Sequence, residues 1–275
     1  MAEKLEWLEQ TGENWAAMYE KTDRSLTALT QRLLERIGEY AGEAVLDVGC
    51  GAGQLSLAIS RARPHAKVVG LDISPALVET ATMRARERDN VTFTQGDAAQ
   101  ARVAGFTPDL VVSRHGVMFF PDPTAAFAHI RAATRPGAGL VFSCFRSPGE
   151  NRWMVESARM APGAENAPPP DPNAPGPFAF ANPQRVEDLL GAAGWSQFQF
   201  EPLDFAFVAG VGDDPVEDAM WLFTHIGPAA RAAGALDAAE REPFLRRFRA
   251  WAEEHREGDL VAFPASVWIV SARNA

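Results

Sequence analysis

The chain has 275 residues, 47% of them hydrophobic, enough for one large domain or a domain with a sizeable cap. Its 26 basic and 36 acidic side chains leave a formal net charge of −10, a balance that repels polyphosphate and speaks against a nucleic-acid partner. Only Cys50 and Cys144 carry thiols, which suits a reducing compartment; with no apolar leader and no apolar run near ~18 residues, the expectation is a cytoplasmic protein with no membrane partner.

In chain order, residues 4 to 38 read as helix, with Leu26, Leu29, Leu33, Leu34 and Ile37 at helical spacing and Trp15, Met18 and Tyr19 on one face. From Val45 short apolar strands alternate with amphipathic helices, the pattern of an α/β protein with a doubly wound, mostly parallel sheet. Residues 45–53 read V-L-D-V-G-C-G-A-G, an apolar strand running into a turn of three alternating glycines. Without Cβ atoms at Gly49, Gly51 and Gly53 the backbone can bend sharply and a ligand can lie against it. The following helix, with Gln54, Leu55, Ala58 and Ile59, points its free N–H groups to the same place. Later helix starts are marked by Ser74-Pro75, Asp122-Pro123, Asn182-Pro183 and Asp214-Pro215, each a capping residue followed by proline. Asp214 with Glu217, and Asp237 with Glu240, also fit capping boxes.

Two stretches break the alternation. Residues 147–181 contain A-P-P-P-D-P-N-A-P-G-P, which suits a surface segment rather than helix or central strand. Residues 212–258 read as two or three helices set between the last two strands, about 198–208 and 261–272. The expected organisation is an N-terminal helical lid (1–40), a core (41–146), a proline-rich cap segment (147–181), and the rest of the core (182–275) carrying the helical insertion. Both insertions are expected to cap the carboxyl ends of the strands, where open α/β sheets bind ligands.

The glycine spacing narrows the ligand. A dinucleotide fingerprint, G-x-G-x-x-G, needs its third glycine at the position of Gln54, whereas here it stands at Gly53. The run L-D-V-G-C-G-A-G resembles motif I of the class I S-adenosyl-L-methionine (SAM) dependent methyltransferases. V-V-G-L-D-I-S (68–74) is similar to the family's second strand, F-T-Q-G-D-A (93–98) to its third, D-L-V-V-S-R-H-G-V-M-F-F (109–120) to its fourth, and R-P-G-A-G-L-V-F-S (135–143) to its fifth. The resemblance covers about residues 40 to 145, most closely in a ubiquinone/menaquinone methyltransferase-like branch, without assigning a quinone substrate. It implies a Rossmann-like, seven-stranded sheet whose last strand is antiparallel, with SAM as methyl donor and S-adenosyl-L-homocysteine (SAH) as product. By that resemblance Asp72 holds the ribose hydroxyls, Asp97 with Ala98 meets the adenine side, and Asp47 orients the turn and the methionine ammonium through water. Gly49, Cys50, Gly51, Gly53, Ile73, Gly96, Ser113 and Arg114 complete the implied contacts. Residue chemistry agrees at two of these positions: Asp72 ends an apolar strand about 20 residues beyond the turn, and a lone carboxylate such as Asp47 inside a strand is costly to bury.

Methyl transfer asks for alignment and exclusion of water, and for a base only when the acceptor must lose a proton. His115, just past the fourth strand, is the candidate base; its bland alternative is a packed, chemically idle ring. Arg114 suits either an acceptor carboxylate or a nearby acid, and His225 is a weaker base candidate. Trp15 and Tyr19 on the lid, Met118 and Phe119 after the fourth strand, and Trp153, Trp221 and His225 on the cap are candidates for the acceptor pocket. No cluster of strand-end carboxylates and no histidine or cysteine spacing suggests a metal. The expected function is therefore methyl transfer from SAM to oxygen, nitrogen or carbon of a small molecule, by a monomer or homodimer. The rivals are a SAM-binding protein without chemistry, a nicotinamide enzyme and a nucleic-acid methyltransferase; S-R-H-G stands where the last would show an N-P-P-Y-like segment.

Overall fold

The computed structural model describes residues 7–166 and 171–275; the first six residues of the expected lid and residues 167–170 of the proline-rich stretch lie outside the described residues. The N-terminal pattern resolves into three consecutive helices, α1 (Gln10–Ala17), α2 (Tyr19–Ser25) and α3 (Thr27–Gly38). The last buries Leu29, Leu33 and Ile37 completely, each contributing about 1.5–3 kcal/mol of burial.

The alternating region then supplies β1 (Ala44–Val48), α4 (Gln54–Ala62), β2 (Lys67–Asp72), α5 (Pro75–Arg84), β3 (Val91–Gln95), β4 (Leu110–Arg114), α6 (Pro123–Ala133) and β5 (Gly139–Phe145). Next come α7 (Arg152–Arg159), α8 (Pro183–Ala192), β6 (Ser196–Val211), α9 (Pro215–His225), α10 (Pro228–Ala235), α11 (Ala238–Glu254), β7 (Arg256–Glu257) and β8 (Leu260–Arg273). The sheet order is β3-β2-β1-β4-β5-β8-β6, with the short β7 paired to β8. β1 to β5 pair in parallel, and β8 runs antiparallel to both β5 and β6. This is the doubly wound sheet with an antiparallel last strand. Strand order reverses between β1 and β4, which opens a crevice at their carboxyl ends.

Each marked helix start is capped by its own side chain: Ser74, Asp122, Asn182, Asp214 and Asp237 accept from backbone N–H groups in the first turns of α5, α6, α8, α9 and α11. The β6–β8 hairpin is longer than its apolar runs suggest. Pairing with β5 stops at Phe145 opposite Val267, yet β6 and β8 stay paired out to Val211 and Leu260. About seven residue pairs, roughly 20 Å of ribbon, therefore overhang the sheet and pack against α7, α9 and α11. Trp153 of α7 stacks on Phe207 at 4.4 Å, and Trp251 of α11 stacks on Phe263 at 4.6 Å. Phe223 of α9 joins them within 5.5 Å of Phe263. The ribbon and α7, α9 and α11 thus share an aromatic core of their own.

Candidate functional site

The three glycines leave β1 with different tasks. Gly49 and Cys50 donate their N–H groups to the Leu71 carbonyl at 2.8 and 3.2 Å, tying the turn to the end of β2. A Cβ on Gly49, at φ +64, would stand 2.7 Å from the Gly116 Cα, so that missing side chain admits the loop after β4. At Gly53 the corresponding space is filled by the Phe93 ring. Gly51, at φ +55, has nothing within 4 Å of where its Cβ would be. Of the three, Gly51 alone faces open space that a ligand can take.

Beside that space lies Asp72, buried at the end of β2. Its Oδ2 accepts the Gly51 N–H at 2.8 Å and its Oδ1 the Ser74 N–H at 2.9 Å. Burial raises the carboxyl above its ordinary range, and the Ser74, Gly51 and Ile73 N–H groups hold it back. A carboxylate has about four lone-pair sites, so beyond these N–H groups it keeps lone-pair capacity for a ligand's hydroxyls. Gly96 N–H donates to the Asp72 carbonyl at 2.8 Å and brings the end of β3 alongside; there Asp97 accepts from the Ala99 N–H at 3.0 Å and Ala98 is buried. Ile73 is half-buried between Asp72 and the α5 cap, and Cys50 is buried, with its thiol pushed up by burial.

Asp47 is almost wholly enclosed inside β1. Its Oδ2 accepts from the Ser56 hydroxyl of α4 at 2.6 Å, while Oδ1 is buried without a partner. Burial first, then the neighbouring Asp72, carries its pKa up to about 7 against the pull of Ser56 and Arg114. An unpartnered buried oxygen costs about 1–3 kcal/mol.

The end of β4 is built from three consecutive side chains. Ser113 Oγ accepts from the Gly116 N–H at 3.1 Å. Arg114 turns toward the N-terminal helices, donating to Thr30 Oγ1 at 2.8 Å and to Gln54, with Asp23 at 4.0 Å. Asp23 also holds Arg84 at 2.6 Å. Arg114 therefore pairs with a nearby acid and fastens α2 and α3 to the strand end. His115 adopts φ +62, which costs about 1–3 kcal/mol outside glycine. Its ring stacks on Phe145 at 4.2 Å with 7° between planes, and both ring nitrogens are buried without a partner. Burial, with Arg114 adding to it, lowers its pKa to about 3, so the imidazole is neutral at physiological pH.

The remaining predicted residues separate by place. Near the N-terminus, Trp7 packs on Phe119 at 5.4 Å and on Trp15 at 5.7 Å. A Cβ on Gly12 would stand 2.2 Å from Ser74 Oγ, so α1 lies directly on the α5 cap. Tyr19 points elsewhere, with its hydroxyl on Glu20 and its ring under Arg84 at 4.4 Å. Met118 is buried after β4, where its carbonyl accepts from Gly176. Trp153 belongs to the aromatic core of the cap, since Phe207, Phe223 and Phe263 enclose it. Trp221 is 49% exposed and stacks on His225, whose Nδ1 bonds the Trp221 carbonyl at 2.8 Å; that pair lies on the outside of α9. Among the described residues no group of three or more potential ligands could hold a metal ion.

Several contributors escape a reading of the sequence. Ser56, Asp23, Thr30 and Gln54 act through tertiary contacts that no spacing signals. Phe145 and Phe178, 6.4 Å apart, read as plain strand and loop residues. Gly12 had a signal, because an isolated glycine in a helical pattern usually has a packing reason.

Comparison with known proteins agrees with this geometry. Residues 45–137 match the methyltransferase domain family. A malonyl-[acyl-carrier protein] O-methyltransferase of Paenibacillus sp. (strain JDR-2) is 31% identical over 134 residues, 46% of this chain and 47% of that protein. A trans-aconitate 2-methyltransferase of Methylobacterium radiotolerans is 28% identical over 178 residues, 64% of this chain and 67% of that one. The chain spans about half the length of the first of these relatives. In fold it is similar to Haemonchus contortus phosphoethanolamine N-methyltransferase 2 in complex with SAM, with TM-score 0.54 and 15% identity over 94% of this chain and 57% of that one. The glycine turn and the β2 carboxylate thus lie within residues 45–137, the stretch that is similar to the methyltransferase domain family.

Proposed function

We propose that the protein binds SAM along the carboxyl ends of β1 to β3 and transfers its methyl group to oxygen, nitrogen or carbon of a small-molecule acceptor. The observation that carries this reading is the Asp72 carboxylate gripping the Gly51 N–H beside the open space at Gly51. The residues fit the donor's chemistry. Asp72 keeps free lone pairs for ribose hydroxyls, and the unpartnered Asp47 Oδ1 offers an acceptor for the methionine ammonium, directly or through water. SAM supplies a methyl group already activated on a sulfonium.

The chain's own residues then bind, align and keep water out. Asp72 and the turn fix the nucleoside end, Asp97 and Ala98 flank the adenine side, and α1 with Trp7 and Trp15 covers the site. Arg114 is a positioning residue that holds the cover down through Asp23 and Gln54. His115 and Phe145 form a wall on the acceptor side. Alignment and exclusion of water are together worth many orders of magnitude in rate. The similarity to a trans-aconitate 2-methyltransferase supports a small acceptor.

We further read the protein as a cytoplasmic monomer or homodimer that does not act on nucleic acid. Its net charge of −10 supports this, and no helix among the described residues is long and apolar enough to cross a membrane. Calorimetric titration with SAH, followed by a metabolite screen for SAH formation from SAM, tests the proposal. Saturable SAH binding with turnover supports it; binding of a nicotinamide dinucleotide in place of SAH overturns it.

A further inference from the structure

We infer that His115 determines acceptor specificity by hydrogen-bonding an uncharged hydroxyl carried on an apolar ring. The inference rests on the methyltransferase reading and deepens it on the acceptor side. His115 follows β4 directly, and the adjoining Gly116 abuts Gly49 of the glycine turn, so the imidazole stands next to the donor site. Its ring is pinned face to face on Phe145, and Phe178 extends that apolar wall. The segment bearing Phe178 is tied down by the Gly176 N–H on the Met118 carbonyl at 3.0 Å.

Two features of His115 call for an explanation that packing does not supply. A phenylalanine would stack equally well, yet this ring brings two buried nitrogens with no partner. The backbone also holds an unfavourable positive φ to place it there, and such strain gathers at ligand sites. A neutral imidazole has one N–H donor and one acceptor nitrogen. A hydroxyl also gives one hydrogen and accepts another, so the two are complementary.

A carboxylate is not. The guanidinium at the end of β4, Arg114, is turned to Asp23, Gln54 and Thr30. The one after β5, Arg146, is held by Glu150 and Asp204. Neither guanidinium is thus left to pair an anionic acceptor at this wall, and in the SAH complex, whose sulfur is neutral, burying a carboxylate there without a protein cation is disfavoured.

The test uses three planar probes against the SAH-saturated protein: 2-naphthol, its methyl ether 2-methoxynaphthalene, and 2-naphthoate, titrated by calorimetry or ligand-observed NMR. The expected result is 2-naphthol binding at least ~tenfold more tightly than either of the others. In His115→Phe the naphthol-to-ether ratio should fall to about one while SAH affinity is kept; a purely structural role would lower all three affinities together. His115→Asn, which tolerates positive φ and keeps a donor and an acceptor, should restore part of the ratio. Equal or tighter binding of 2-naphthoate, no measurable binding of 2-naphthol, or an unchanged ratio in His115→Phe overturns the inference. Failure of the unaltered protein to bind SAH overturns the donor reading beneath it, and is seen before any probe is added.

Discussion

Asp47 and His115 should give the protein two opposed pH dependences that conceal one another. Asp47 ionises near 7 when folded, against an ordinary 3.8. Between those values the native state holds a proton that the unfolded chain has released, so stability from this group falls as pH rises. His115 titrates near 3 when folded, against 6.5. Between those values the unfolded chain holds the extra proton, so stability from this group rises with pH and is lost on acidification below 6.5. Each slope is about 1.4 kcal/mol per pH unit. From about pH 4.5 to 6.5 the two therefore contribute roughly −3 and +3 kcal/mol and cancel. Urea unfolding of Asp47→Asn across this window should show a gain of about 3 kcal/mol relative to the unaltered protein as pH rises. His115→Asn should show the opposite trend of similar size, on top of a constant offset. A flat difference for Asp47→Asn would mean an ordinarily solvated carboxyl, and would refute the argument from its buried, unpartnered Oδ1.

Other predictions concern the donor site and the cap. Asp72→Ala removes a charge-assisted contact worth roughly 1.5–3 kcal/mol, so SAH affinity by calorimetry should fall at least ~tenfold; unchanged binding in the folded variant would refute the assignment. Gly49→Ala should destabilise by about 2 kcal/mol or more in urea unfolding, because its Cβ meets the Gly116 backbone. Gly51→Ala should cost only about 1 kcal/mol of backbone strain yet weaken SAH more than ~tenfold, since its methyl enters the ligand's space; the reverse ranking would refute the division of labour in the turn. Trp153→Ala should cost about 3–5 kcal/mol while leaving the SAH affinity of the folded protein within about twofold. A large loss of SAH affinity would return Trp153 to the binding site.

Much of this architecture is legible in the sequence because it is local. Alternation of apolar strands with amphipathic helices, the capping residues before prolines, and the order of the glycine turn and Asp72 all follow from short-range chemistry. What was not legible depends on chain segments far apart. Three glycines look alike in a turn, but only packing decides that Gly116 meets Gly49, that Phe93 meets Gly53, and that Gly51 is left open. Trp153 and Trp221 are equally plausible pocket residues by sequence. The overhanging hairpin buries the first in the cap and leaves the second on its outer surface. Arg114 and His115 are neighbours in a strand-end run, yet Arg114 reaches the N-terminal helices while the positive φ at His115 brings its ring onto Phe145.

The most direct measurement is a crystal structure of the protein with SAH. The account predicts the two ribose hydroxyls within ~3 Å of the Asp72 carboxylate, the homocysteine backbone beside Gly51, and the sulfur facing the wall of His115 and Phe145. A nucleoside bound away from Asp72, with the space at Gly51 still open, would contradict it.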